Sequence, residues 1–135
     1  MCPDELISEG QDLVLTVTWI RHGESAANAG GASSDPALIA LTERGKAQAQ
    51  AIAQSFEAAP ELIVMSPFIR AQDTAAPTLR KFPGVPVEVW PVEEFTYLSP
   101  ANCMKTTAAQ RRPWVEAYWR ASEPDHSNGP GTESF

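Results

Sequence analysis

The sequence predicts a three-layer α/β/α domain with a mainly parallel sheet. Short apolar segments rich in β-branched residues alternate with segments of helical periodicity, which is typical of parallel strands joined by right-handed helical crossovers. The composition, 43% hydrophobic and 20% charged over 135 residues, is that of a globular protein. This length favours a single domain, residues 1–135, with one modest core.

The first half of the chain predicts two strands and a helix between them. Residues 13–20 (LVLTVTWI) are almost all apolar, which indicates a strand buried on both faces. Thr42 is a suitable N-cap for a helix over about 43–57, which Pro60 ends. Residues 62–65 (LIVM) predict the second strand. The apolar positions expected to face the core from the helix are Ala47, Ala51, Ile52 and Phe56.

The second half continues this alternation. Ser66 and Pro67 favour the start of a helix over about 67–81, disturbed by Pro77. Residues 85–90, interrupted by Pro86, predict a third strand near an edge. Either Thr106 or Thr107 can cap a further helix that reaches about Ala121, with Trp114, Tyr118 and Trp119 on its apolar side. After a loop over 123–131, residues 132–135 are typical of the first turn of another helix.

Polar residues follow each predicted strand: Arg21 and His22, then Ser66 with Arg70, then Glu93 and Glu94. Ligands of open α/β sheets bind at the carboxyl ends of the strands, so we expect these side chains to converge. A nucleophile, cations for the phosphoryl oxygens and an acid for the leaving oxygen are what phosphoryl transfer needs. A neutral imidazole can attack phosphorus near neutral pH, and Gly23 would let the backbone approach the phosphate.

Three ordered motifs strengthen this interpretation: Arg21-His22-Gly23-Glu24-Ser25 with Asn28, then Leu41-Thr42-Glu43-Arg44-Gly45, then Ser66-Pro67 with Arg70-Ala71 and Thr74-Ala75. In this order they resemble the histidine phosphatase superfamily, which includes the phosphoglycerate mutases. The resemblance implies a phosphoglycerate mutase-like fold and a phosphohistidine on His22. It implies that Glu94, preferred over Glu93, donates a proton. It also implies phosphate binding by Arg21, Arg70, Asn28 and Ser66, with no metal or other cofactor.

The family carries a second catalytic histidine after a further buried strand. His126 is the only other histidine here, and neither a strand before it nor a glycine after it matches that pattern. We therefore expect these residues to be the N-terminal portion of the domain, incomplete at the C-terminus. A phosphatase acting on a small phosphorylated metabolite is the leading hypothesis. A mutase is the alternative within the family, and an inert phosphate-binding or regulatory module is the alternative outside it.

The charge distribution limits the expected partners. The net charge is −7 and the ten lysines and arginines are scattered, which disfavours nucleic acid and anionic membranes. A phosphorylated small molecule or inorganic phosphate is the expected ligand. Cys2 and Cys103 do not form a disulfide framework, and the acidic N-terminus lacks a signal peptide pattern, so a cytoplasmic location is expected. An unpaired apolar edge on residues 13–20 would favour a homodimer.

Overall fold

The computed structural model describes residues 14–32, 35–121 and 123–133. Its sheet consists of two parallel strands, β1 (Ile63–Met65) and β2 (Val87–Val89), with Ile63 opposite Val87 and Met65 opposite Val89. Between them the chain forms helix α2 (Ile69–Lys81), which makes the unit a β-α-β crossover. The predicted α/β alternation and the parallel pairing are thus confirmed for this part of the chain.

Helix α1 (Glu43–Ser55) begins where the sequence predicts. The Thr42 hydroxyl oxygen accepts a hydrogen bond from the Gly45 backbone N–H at 3.1 Å, which satisfies one of the free donors of the first turn. Helix α2 begins two residues later than predicted because the Ser66 hydroxyl accepts from the Phe68 N–H at 3.1 Å and forms a turn ahead of the helix. The helix continues through Pro77, which is buried.

The buried face of α1 differs from the predicted one. Gly45, Ala49 and Ala53, spaced four residues apart, are the buried positions, whereas Ala47 and Ala51 are exposed. This stripe of small residues lets α2 lie close to α1, and the buried residues of α2 are likewise compact: Thr74, Pro77 and Thr78. Ile52 and Phe56 are half-buried, and the prediction was wrong for Ala47 and Ala51 because it followed hydrophobicity, while the closest contact depends on small side-chain volume.

Residues 14–20 form no strand, contrary to the prediction for 13–20; Leu13 lies outside the described residues. Most of the apolar side chains in this segment are exposed, with Trp19 at 87%. An extended segment becomes a strand only when its backbone pairs with a neighbour. Within the described ranges, residues 14–20 have no such partner. The sheet described here therefore has two strands instead of the predicted three.

The C-terminal part contains a short helix α3 (Pro100–Cys103), which was not predicted, and α4 (Ala108–Ala121). Thr107, and not Thr106, caps α4: its hydroxyl accepts from the Gln110 N–H at 3.3 Å, and its own N–H donates to the Gln110 side chain at 2.8 Å. This reciprocal pair is a capping box.

Residues 123–133 are irregular, as predicted up to 131. Thr132 and Glu133 are not helical, and the remainder of the predicted C-terminal turn, 134–135, lies outside the described residues. In the described part of the chain no helix combines the length and the apolar character needed to cross a bilayer.

Candidate functional site

Residues 21–28, which we call the His22 loop, lie against the first turns of α2. The Gly23 backbone N–H donates to the Thr74 hydroxyl at 3.0 Å, and that hydroxyl donates to the Arg70 carbonyl at 2.6 Å. Thr74 is buried, so this link is shielded from water. The structure therefore places the backbone next to His22 beside the turn of α2 that carries Arg70.

The same loop lies against the start of α1 through a contact between two glycines. A Cβ atom on Gly23 would lie 2.5 Å from the Gly45 carbonyl oxygen, and one on Gly45 would overlap the Glu24 carbonyl. No larger residue fits at either position without moving the backbone. Gly23 thus permits the approach of α1, which is a different role from the predicted approach to phosphate.

Glu24 connects the loop to the N-terminus of α1. The Thr42 hydroxyl donates to the Glu24 carboxylate at 2.8 Å, and the Thr42 N–H donates to the Glu24 carbonyl at 2.9 Å. The Glu24 N–H donates to the Gln48 side chain at 2.8 Å. An ion pair with Arg44 at 3.5 Å adds little, because Arg44 is largely exposed. Thr42 therefore both caps the helix and holds the loop.

Asn28, a predicted phosphate ligand, is bound within the loop through its carbonyl oxygen. That oxygen accepts from the Ser25 N–H at 3.2 Å and from the Ser25 hydroxyl at 2.9 Å, while the Asn28 N–H donates to the Ser25 hydroxyl at 3.3 Å. Ser25 is buried and Asn28 is exposed. The side-chain NH₂ of Asn28 donates to none of the described residues, so it is the part of Asn28 that can reach a ligand.

The imidazole of His22 is half-buried and oriented by its own loop. Its Nδ1 lies 2.8 Å from the Gly23 carbonyl oxygen. A carbonyl oxygen can only accept, so Nδ1 is the donor, and in the neutral imidazole Nε2 then keeps a free lone pair. The arrangement thus presents Nε2 as the nucleophilic nitrogen.

Arg70 is a cation of the site that neighbouring groups hold in place. Its Nη1 donates to the Pro36 carbonyl at 2.6 Å, in the short 3₁₀ turn Pro36–Leu38, and its guanidinium lies 4.8 Å from the centre of the Phe68 ring. Burial lowers the pKa of Arg70, and the nearby Glu94 carboxylate opposes this shift. Guanidinium groups stay protonated in proteins, so a half-buried positive charge is maintained here.

The other predicted residues differ in their placement. Glu94 is exposed and close enough to act on Arg70, whereas one carboxylate oxygen of Glu93 is buried without a hydrogen-bond partner among the described residues. Ser66 is buried, with its oxygen bound to the Phe68 N–H. Arg21 is exposed and contacts no polar group in the described ranges. The structure brings the His22 loop, Arg70 and Glu94 to one region and leaves Arg21 at its surface.

Several organising residues were missed by the sequence-based site prediction. Thr42, Gln48 and Thr74 fill the backbone donors and acceptors of the His22 loop, and the Pro36 carbonyl orients Arg70. Thr42 and Thr74 lie inside the quoted motifs, which was the available signal. Gln48 and Pro36 carry no local pattern that points to the site.

Two further observations help to define the site. Within the described ranges no cluster of three or more His, Cys, Asp or Glu side chains could hold a metal ion. A shallow concavity of about 460 Å³ lies at the amino ends of β1 and β2, lined in part by Pro60, Phe82 and Val85. It lies at the opposite end of the strands from the turn that leads from β1 to Arg70, and none of the predicted site residues lines it.

The sequence profile of the histidine phosphatase superfamily (branch 1) matches residues 17–135. The chain belongs to this superfamily. No sequence among curated proteins matches it significantly. Among solved structures, the α-ribazole phosphatase from Shigella flexneri is 28% identical with a TM-score of 0.63, over 86% of this chain and 57% of that one.

Two further structures of similar fold are mycobacterial. A mycobacterial glucosyl-3-phosphoglycerate phosphatase in complex with VO₃ is 30% identical, with a TM-score of 0.60 over 79% of this chain and 51% of that one. Mycobacterial hydrolase 1 is 29% identical, with a TM-score of 0.62 over 84% of this chain and 54% of that one. The chain spans about half the length of these superfamily members, and the predicted phosphoglycerate mutase-like fold class is confirmed.

The glycine contact predicts a large difference between two equivalent substitutions. We expect Gly45→Ala to lower the free energy of unfolding by about 1–3 kcal/mol, the usual cost of overpacking, although alanine favours a helix. Gly84→Ala, in a turn with no atom near the added methyl group, is the matched control and should change stability by less than about 0.5 kcal/mol. Urea unfolding measures both, and equal stability of the two variants would contradict the contact.

Proposed function

We propose that this chain forms the phosphate-handling part of a phosphatase that acts on a small phosphorylated metabolite. The observation that carries the proposal is the orientation of His22: Nδ1 donates to the Gly23 carbonyl, so the lone pair of Nε2 is free next to the turn of Arg70. The superfamily membership and the phosphatases among the similar structures support the same class of reaction.

In the proposed reaction, the substrate phosphate binds to Arg70, Arg21, the Asn28 amide and the Ser66 hydroxyl. Nε2 of His22 attacks phosphorus, and the bond between phosphorus and the leaving oxygen breaks. Glu94 donates a proton to that oxygen, and the alcohol leaves. Water then attacks the phosphohistidine, the proton of water returns to Glu94, and inorganic phosphate is released. Every atom of this cycle comes from substrate, water and the chain itself, with no metal or other cofactor.

Arginine side chains must neutralise most of the phosphate charge. The backbone N–H groups of residues 23, 24 and 25 already donate to Thr74, Gln48 and Asn28. They are therefore not free to bind an anion, unlike the open backbone donors of a glycine-rich phosphate loop. The half-buried guanidinium of Arg70 is the strongest group left, because its planar donors match phosphate oxygens and burial strengthens the attraction.

Two alternatives within the proposal concern the fate of the phosphoryl group. In a mutase it would return to a second position of the substrate before water attacks. In an inert binding module it would never leave the substrate. The inert module is favoured by the position of His126. The ring of His126 lies 5.6 Å from that of Tyr118, against the aromatic side of α4, so His126 is not placed to act as a second catalytic histidine.

The phosphohistidine proposal predicts that His22→Ala abolishes turnover of a generic aryl phosphate, because the attacking nitrogen is removed. His126→Asn is the control and should keep the native rate. The measurement is steady-state release of the phenolate, with acid-labile phosphate on the protein as a second readout. Equal rates for the native chain and His22→Ala would rule out the proposal, and phosphate binding without turnover would favour the inert module.

The acid role of Glu94 predicts a dependence on the leaving group. Glu94→Gln should leave the pre-steady-state rate of the first step, the transfer of phosphate to His22, almost unchanged for nitrophenyl phosphate, since a nitrophenolate leaves without a proton. For an alkyl phosphate it should lower the rate of this first step by about 100-fold, within the range typical of general acid catalysis. Glu93→Gln is the matched control. An equal loss on both substrates would exclude the acid role, and a larger effect of Glu93→Gln would transfer it to Glu93.

We also propose a homodimer formed through residues 14–20, where Val14, Leu15 and Trp19 are strongly exposed in a segment that pairs with neither of the described strands. The double substitution Leu15→Lys and Val17→Lys should convert a dimer to a monomer, because two charges cannot be buried in a strand exchange. Light scattering at two concentrations measures the mass. A native chain that is monomeric throughout would be evidence against this association.

A further inference from the structure

Aromatic side chains form a cluster directly after Glu94 in the chain. The ring centres of Phe95 and Tyr97 are 5.5 Å apart, those of Tyr97 and Trp119 5.6 Å, and those of Phe95 and Trp119 6.3 Å with an edge-to-face angle of 88°. Tyr97 also lies 5.0 Å from Tyr118. These spacings are those of favourable aromatic pairs, so the cluster is a packed unit and not a chance group of surface residues.

The segment that carries the cluster is tied to residues 128–133. The Thr96 N–H donates to the Glu133 carboxylate at 2.8 Å, and the Glu133 N–H donates to the Thr96 carbonyl at 2.7 Å. The buried Ser99 donates from its N–H to the Asn128 side chain at 3.1 Å and from its hydroxyl to the Pro130 carbonyl at 3.2 Å. These bonds hold the aromatic rings in one position before any ligand binds, which lowers the entropy lost on binding.

Within the described part of the chain, the cluster is covered on one side and exposed on the other. Tyr118 is 3% exposed and forms its base, whereas Phe95 and Trp119 are 40% and 43% exposed. The exposed ring faces therefore form a rigid apolar surface, which we call the aromatic wall: Phe95, Tyr97 and Trp119. A rigid apolar patch of this kind is typical of a binding surface.

The aromatic wall adjoins the phosphate region through Glu94. Phe95 follows Glu94 directly in the chain. Burial, and after it the charge of Glu94, raises the pKa of the Tyr97 phenol, and the same carboxylate acts on Arg70. Glu94 is thus close both to the cation that would hold the phosphate and to the aromatic wall. A group bonded to the oxygen that Glu94 protonates would extend over that surface.

We propose that the aromatic wall is the leaving-group subsite and that the preferred substrates are phosphomonoesters with a planar aromatic leaving group. This inference rests on the proposed function, because it requires phosphate at Arg70. The two rings are perpendicular, so a planar group that stacks on one of Phe95 and Trp119 meets the other edge-to-face, and both contacts remove exposed ring surface from water. An alkyl group of similar length would gain only part of this contact.

The experiment compares phenylphosphonate with methylphosphonate by isothermal titration calorimetry. Their carbon–phosphorus bonds are not hydrolysed, so binding is measured without turnover. We expect the native chain to bind phenylphosphonate about threefold to tenfold more tightly, the factor given by an aromatic pair. Trp119→Ala and Phe95→Leu should remove this preference and leave methylphosphonate affinity unchanged. Trp114→Ala is the matched control, since Trp114 is on the same helix with similar exposure, 39%, and should keep the preference.

The outcomes separate the inference from the proposed function. Equal affinities in the native chain, a preference that persists in both wall variants, or no binding of either phosphonate would each overturn the inference. Turnover that depends on His22 without a preference for aromatic groups would support the phosphatase and contradict the leaving-group subsite. A preference for phenylphosphonate without turnover would support the subsite and contradict the phosphatase. Circular dichroism melts, with Phe95→Leu as the milder substitution, exclude loss of folding as the cause.

Discussion

The contact between the backbones of Gly23 and Gly45 is the constraint on which the described site depends. It brings the N-terminus of α1 against the His22 loop, so that Thr42 can cap the helix and hold Glu24 with the same side chain. The small residues along α1 then let α2 lie close, and Thr74 reaches the Gly23 N–H. The lack of side chains on Gly23 and Gly45 therefore determines where the His22 loop and the helix that carries Arg70 lie relative to each other.

The His22 loop is built to be rigid and not to bind anions with its backbone. The N–H groups of residues 23, 24 and 25 donate to side chains from α2, from α1 and from the loop itself. The charge available to a phosphate is therefore that of side chains, with Arg70 held by a carbonyl and by the Phe68 ring. This division separates two tasks: hydrogen bonds maintain the shape of the loop, and a partly buried cation supplies the electrostatic attraction.

The similar structures and the geometry support the proposal at different levels. Superfamily membership supports the proposed class of chemistry, and the shared fold covers most of this chain and about half of each relative. The orientation of His22 and the aromatic cluster after Glu94 are features of this chain's own residues. Specificity for a leaving group would arise from that second set, because the cluster adjoins the carboxylate expected to protonate the leaving oxygen.

The sequence alone predicted the alternation of helices and strands from residue 43 onward, the cap at Thr42, a cap at either Thr106 or Thr107, and the residues expected to meet phosphate, because these depend on local chemistry and ordered motifs. Tertiary structure decided what local patterns do not encode. Pairing determines whether an apolar segment becomes a strand, so residues 14–20 form no strand and are exposed despite their composition. The volume of the side chains at the contact determines which face of α1 is buried, so Gly45 is buried while the more hydrophobic Ile52 is only half-buried. The hydrogen bond from Arg70 to the Pro36 carbonyl joins residues 34 positions apart, and only the folded chain brings them together.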